Sequence, residues 1–133
     1  MSSAFRLSAD PRRSLLLIEL SGFFEATDVS RFAAEKQAAH RDLMCAPNEH
    51  VTIVDVTDCK IQGQAVVGAF AAMIADQRYK GRKLAFVTGS SLAKMQVRRL
   101  IEGQAEARCF DNRRLAEAWL MEDGAAAPLR NGF

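Results

Sequence analysis

The sequence predicts one α/β domain: a mixed, mostly parallel sheet with an N-terminal antiparallel edge hairpin, in the order ββαβαβαβα. Three observations predict it. Apolar runs at 14–20, 50–56 and 83–88 carry few charges, as strands covered on both faces do. Segments with apolar residues at helical spacing separate them. Strands that alternate with single helices pair in parallel through right-handed crossovers. Composition agrees: 49% of the 133 residues are hydrophobic and 26% charged, enough for one core and too apolar for a disordered chain.

The chain opens as a hairpin. Phe5 and Leu7 alternate with Arg6 and Ser8, the pattern of a half-exposed edge strand, and Pro11 presets the bend before the run at 14–20. Glu19 is the one charge in that inner strand, which Ser21-Gly22 closes. Thr27 or Asp28 caps a helix over 27–44. Its face of Val29, Phe32, Ala33 and Leu43 is interrupted by Lys36 and His40, so burial is expected at one end only. Ala46-Pro47-Asn48-Glu49 breaks the pattern before the strand at 50–56 and a polar loop at 57–63. A helix over 64–78 carries a clean apolar stripe of Val66, Val67, Phe70, Ala71 and Ile74, with Gly81 suited to its end.

After the strand at 83–88, Gly89-Ser90-Ser91 is a turn with capping hydroxyls. The helix over 92–102 buries Ala93, Val97, Leu100 and Ile101 and stops at Gly103. A short edge strand at 107–110 precedes a last helix, capped by Asp111 or Asn112, that runs through Met121 with Leu115, Trp119 and Leu120 as buried anchors. The domain is expected to span 1–123, with 124–133 a flexible C-terminal tail.

Three stretches carry a family likeness: Leu17-Ile18-Glu19-Leu20-Ser21-Gly22, Val54-Asp55-Val56-Thr57-Asp58, and Phe110-Asp111-Asn112-Arg113-Arg114-Leu115-Ala116-Glu117-Ala118-Trp119-Leu120. In this order of elements they resemble the STAS domain, and within it the SpoIIAA-like branch of bacterial proteins, over 5–122. The resemblance implies protein–protein signalling. In anti-sigma-factor antagonists, a serine just before the helix that follows the second inner strand is phosphorylated, and the added charge breaks the partner complex. The matching stretch here, Ile61-Gln62-Gly63-Gln64-Ala65, has no Ser, Thr or preceding Asp, so that switch does not carry over. Thr57 is the nearest hydroxyl, and reads as a local hydrogen-bonding group.

Ligands of open α/β sheets bind at the carboxyl ends of the strands, where Asp55, Asp58 and Cys59 fall. Cys59 as a nucleophile would need a base, His50 or His40, and His50 lies at the far end of the same strand. Gly89, Ser90, Ser91 and Lys94 could hold a phosphate or carboxylate, or form a plain capping turn. Of Phe23 and Phe24, one must face outward or into a cleft, which suits a hydrophobic ligand or a partner. His40 and Lys36 mark a ligand cavity, a dimer contact or simple partial burial.

With 18 basic and 16 acidic side chains, a nucleic-acid partner is not expected; the basic set Lys94, Arg98, Arg99, Arg108, Arg113 and Arg114 reads as a solvated face. Cys45, Cys59 and Cys109 form no metal pair or disulfide framework, and no metal or other cofactor is expected. Arg6, Asp10, Arg12 and Arg13 break up any signal-peptide core, and no apolar run has transmembrane length, so a cytoplasmic address is expected. The first functional reading is a non-enzymatic module acting through a protein partner or self-association, a homodimer included. The alternative is a carrier of a small hydrophobic ligand or lipid. A small enzyme using Asp55, Asp58 or Cys59 is the third.

Overall fold

A computed structural model describes residues 3–43, 49–76 and 81–131. The elements are β1 (Ala4–Asp10), β2 (Leu15–Gly22), α1 (Ala26–Leu43), β3 (Val51–Cys59), α2 (Gln64–Ala75), β4 (Lys83–Val87), α3 (Ser91–Leu100), β5 (Ala107–Phe110) and α4 (Arg113–Asn131). The strands lie side by side in chain order; β1 and β2 are antiparallel and every later pair is parallel. Class and element order are those the sequence predicts.

A sheet that grows in one direction through same-handed crossovers must put every crossover helix on one face. α1, α2 and α3 accordingly share a core with Leu16, Ile18, Leu20, Val54, Val56 and Phe86. α4 follows the last strand and covers the opposite face, where Ala116 and Leu120 meet Leu15, Val51, Ile53, Ala85 and Val87. In the β1–β2 turn, the Asp10 carboxylate accepts from the Arg12 N–H (3.1 Å) and Arg13 Nε (2.9 Å). Asn112 caps α4, its Oδ1 accepting from the Leu115 N–H at 2.9 Å.

Several expectations change. The apolar face of α1 is buried at both ends, by Val29 and Phe32 and by Ala39 and Leu43, because Lys36 and His40 fold inward between them. Residues 57–59 extend β3 and are not a loop, since Asp58 and Cys59 pair with Ser21 and Gly22. α2 ends at Ala75, and Val66 is its one buried residue. Leu115 is exposed because the sheet-facing pair of α4 is Ala116 and Leu120, one turn apart. α4 also continues past Met121 to Asn131, through the strongly helix-forming Ala125-Ala126-Ala127. Cys45, the break at Ala46-Pro47-Asn48 and the helix end placed at Arg78 lie outside the described residues.

Candidate functional site at the carboxyl edge and the cavity behind it

A bulge decides what the end of β3 presents. Glu19 pairs with Asp55, yet Ser21 pairs with Asp58, so β3 holds one extra residue there. An inserted residue reverses the alternation of side chains beyond it. Cys59 therefore packs with the core on the helical face, while Thr57 and Asp58 are exposed. No local pattern in the sequence encodes that reversal.

Gln62 ties the edge together. Its Oε1 accepts from the Phe24 N–H at 2.8 Å, and its Nε2 donates to the carbonyls of Gly22 (3.0 Å) and Lys60 (2.5 Å). Its backbone N–H donates to Gln96 Oε1 at 3.2 Å, and Gln96 Nε2 donates back to the Gln62 carbonyl at 3.1 Å. The β2–α1 connection, the β3–α2 loop and α3 are thus joined by one side-chain pair. Sequence reasoning missed both glutamines, since neither belongs to a motif. The knot also splits the aromatic pair: Phe24 is buried against Phe70, with ring centroids 5.9 Å apart, whereas Phe23 is 43% exposed.

Exposed apolar side chains gather round this knot. Ile61 precedes Gln62, Leu92 stands one turn before Gln96, and Met95 is beside it; their exposures are 46, 65 and 54%. With Phe23 they are four of the five large exposed hydrophobics among the described residues, the fifth being Leu115 on α4. Isolated exposed apolar residues are ordinary, but four that each lie within one residue or one helical turn of a knot residue in the chain are read as one patch.

Behind the patch lies a mainly apolar cavity of about 140 Å³. Ile18, Val54 and Phe86 form its sheet wall, Phe32 and Lys36 come from α1, and Phe70 and Ile74 from α2. It explains why the clean stripe of α2 is only partly buried: the helix spans a gap instead of resting on the sheet. That stripe was legible, but the gap beneath it depends on how α1 and α3 hold the helix.

At its amino edge the lining includes Lys36, Lys83, Gln104 and Glu106, and Lys36 leads to two histidines outside the lining. Lys36 Nζ donates to His40 Nε2 at 3.0 Å, and the His40 and His50 rings meet edge to face with centroids 4.7 Å apart. Burial lowers the Lys36 pKa, with Asp76 opposing. Burial, then the charges of Lys36 and a protonated His50, brings His40 down to about 3. Burial, then Lys36 and Arg82, brings His50 to about 4. Both imidazoles are neutral at pH 7. His50 is 4% exposed, and its Nε2 has no hydrogen-bond partner among the described residues. That nitrogen lies beside Gly81, which lines the cavity: a Cβ there would be 3.0 Å from it.

Of the residues singled out from sequence, Phe24 and Cys59 line the cavity, while Phe23, Asp58, Gly89, Ser90, Ser91 and Lys94 do not. The ends of β3 and β4 do meet, since a Cβ on Gly89 would be 3.0 Å from the Thr57 carbonyl, and the end of β2 joins them where Gly22 pairs with Cys59. Ser90 Oγ accepts from the Ala93 N–H at 3.1 Å as the N-cap of α3, and Lys94 Nζ pairs with Asp111 at 2.6 Å. Those groups are thus engaged in capping and pairing. Burial, then Asp58 and Asp55, pushes the Cys59 thiol up to about 12, which opposes thiolate chemistry at neutral pH. Asp55 is taken up elsewhere. Arg113 donates to both Asp55 and Glu19 at 2.8 Å, and Thr57 Oγ1 donates to Asp55 Oδ1 at 2.6 Å. Burial disfavours the Asp55 charge, but the Thr57 and Arg113 hydrogen bonds prevail and hold its carboxyl below the usual range.

This topology, with three helices on one face and a fourth on the other, is shared with solved structures. An uncharacterised protein of the DUF3478 family from Shewanella loihica PV-4, described as having a SpoIIAA-like fold, superposes with a TM-score of 0.67 at 15% identity, over 89% of this chain and 93% of that one. The fold is SpoIIAA-like. An anti-sigma factor antagonist from Mycobacterium paratuberculosis shares it, with a TM-score of 0.64 at 12% identity over 90% of this chain and 94% of that one. No family model and no curated protein matches the sequence. The resemblance read from three short stretches thus holds for the SpoIIAA-like fold, and function has to be argued from the residues. Among the described residues, no helix is long and apolar enough to cross a membrane.

Proposed function

We propose that this chain is a non-enzymatic, cytoplasmic interaction module that docks a protein partner on the patch of Phe23, Ile61, Leu92 and Met95. The carrying observation is the position of that patch, around the Gln62–Gln96 knot at the carboxyl edge of the sheet. Hydrogen bonds from three segments hold the apolar side chains on a fixed base, so little ordering entropy remains to oppose docking. The shared fold of a protein named as an anti-sigma factor antagonist supports the same reading. With no hydroxyl residue in the stretch 61–65, regulation through a phosphoserine there is not part of it.

The experiment is capture from the native host with wild-type protein and with a Phe23→Asp, Leu92→Asp double variant. One stoichiometric protein held by the wild type and lost by the folded variant is the expected result. A wild type that captures none and stays strictly monomeric overturns the reading.

A second reading has its own observation: the mainly apolar cavity of about 140 Å³ beneath α2. An engineered apolar cavity of about 150 Å³ in another protein binds benzene. Native mass spectrometry checks this, a bound small molecule being expected and an apo mass alone counting against it.

A further inference from the structure

The patch at the carboxyl edge has a cationic rim. Leu92, Met95 and Arg99 lie at i, i+3 and i+7 on α3, so they share one exposed ridge about 10 Å long, turned away from the buried Val97. Gln96 lies one turn after Leu92 and nearly one turn before Arg99, and its bonds to Gln62 draw the loop of Lys60 and Ile61 to that flank of the ridge. Arg98 stands on the other flank. Lys60, Arg98 and Arg99 are all exposed, and among the described residues none of them is held in an ion pair. Lys94 differs, since Asp111 takes it at 2.6 Å. Asp111 lies near Arg98 as well, without pairing with it.

Resting on the reading that this patch docks a protein, we infer that the docked segment is an acidic amphipathic helix of the partner: its apolar residues sit on Ile61, Leu92 and Met95, and its carboxylates meet Lys60, Arg98 and Arg99. A ridge of two turns matches the i, i+3, i+7 spacing of one partner helix. The apolar contacts supply most of the affinity, while opposite charges at the rim set orientation and speed encounter. Two other occupants suit the charges less well. An anionic bilayer would press on two exposed carboxylates, Glu25 two residues after Phe23 and Glu102 just past α3, whereas a helix can place its few carboxylates opposite the cations alone. A second copy laid patch to patch about a two-fold axis would bring like cations together. Asp58 faces the other side of the sheet, because Cys59 beside it packs on the helical face.

Three stapled helical peptides with one leucine face, and with Glu, Gln or Lys at the flanking positions, are titrated into methyl-labelled full-length protein. The methyl signals of Ile61, Leu92 and Met95 are followed. The Glu peptide is expected to bind about ten-fold more tightly than the Gln peptide, with the Lys peptide weakest. An Arg98→Glu, Arg99→Glu double variant should reverse that order, and Arg98→Gln, Arg99→Gln repeats the test if the first does not fold. Leu92→Ser, Met95→Ser should abolish binding of all three. Equal affinity for the three peptides, or a Glu preference that survives in the arginine variants, overturns the acidic-helix inference. So does the absence of any binding. In each case the protein-docking reading stands or falls separately, on the capture experiment. Glu-peptide binding that persists in the folded Leu92→Ser, Met95→Ser protein places the site elsewhere and overturns the inference. Binding of phosphatidylserine vesicles, or a dimer, lost in those same variants while the Glu peptide does not bind, assigns the surface to lipid or to a second copy and also overturns it.

Discussion

Gln62 and Gln96 hydrogen-bond each other reciprocally, backbone N–H to side-chain oxygen in one direction and side-chain NH₂ to backbone carbonyl in the other. The pair closes the β3–α2 loop onto α3, and the Gln62 amide also holds the β2–α1 connection. Gln62→Ala should cost about 1–3 kcal/mol in urea unfolding, because the Phe24 N–H loses its partner inside a partly buried site. Gln62→Glu keeps the acceptor and loses the donor, and should fall between. An alanine variant within a few tenths of a kcal/mol of wild type would mean that water replaces the knot.

Two glycines should respond in opposite directions to the same methyl group. A Cβ on Gly81 would sit 2.6 Å from the His50 carbonyl, which also accepts from the Arg82 N–H at 2.7 Å. Gly81→Ala is therefore expected to destabilise by about 1–3 kcal/mol. Gly68, inside α2, has open space where a Cβ would go. Gly68→Ala should stabilise by about 0.5–1 kcal/mol through helix propensity alone. Thermal or urea unfolding of the two variants checks both signs.

Acid should weaken the fold before the carboxylates titrate. Free histidine protonates near pH 6.5, whereas His50 does so at about 4 and His40 at about 3 in the folded chain. Between those limits the unfolded state binds more protons, so stability is full above pH 6.5 and falls as pH drops through 6 to 4. The slope is at most about 1.4 kcal/mol per pH unit for each histidine. Urea unfolding at pH 7.5, 6 and 5 should show the loss, and a His40→Gln, His50→Gln double variant should flatten it. An equally steep variant would assign the effect to other groups.

Cys59 should be a slow thiol. With its pKa raised from 9.0 to about 12, its thiolate fraction near neutral pH falls about 1,000-fold below that of an ordinary cysteine. In a Cys45→Ser, Cys109→Ser background, a disulfide probe at pH 7.5 should react correspondingly slowly, and quickly once urea unfolds the chain. Fast labelling of the folded protein would restore a nucleophile reading for Cys59.

Arg113 joins two carboxylates from neighbouring strands, Glu19 and Asp55, and its last-helix position gave no hint of that role. The signal that existed was a lone Glu19 in an otherwise apolar strand, which calls for a partner. The hydrogen bonds themselves span separations of 94 and 58 residues, beyond any local pattern. Phe23 and Phe24 show the same division: the pair announced that one ring must leave the core, and the Gln62 contact to the Phe24 N–H decided which.

The order of strands and helices was determined by the sequence alone, because strand and helix periodicities are local and right-handed crossovers admit few arrangements of ββαβαβαβα. The carboxyl-edge location of the loops followed from that order. Tertiary structure decided the rest. The β3 bulge turned Cys59 inward and Asp58 outward, the amide of Gln62 locked three segments together, and α1 and α3 held α2 away from the sheet. Each of these depends on distances between residues far apart in the chain. A periodic stripe states that a face is apolar; only packing settles whether another side chain or a cavity lies against it.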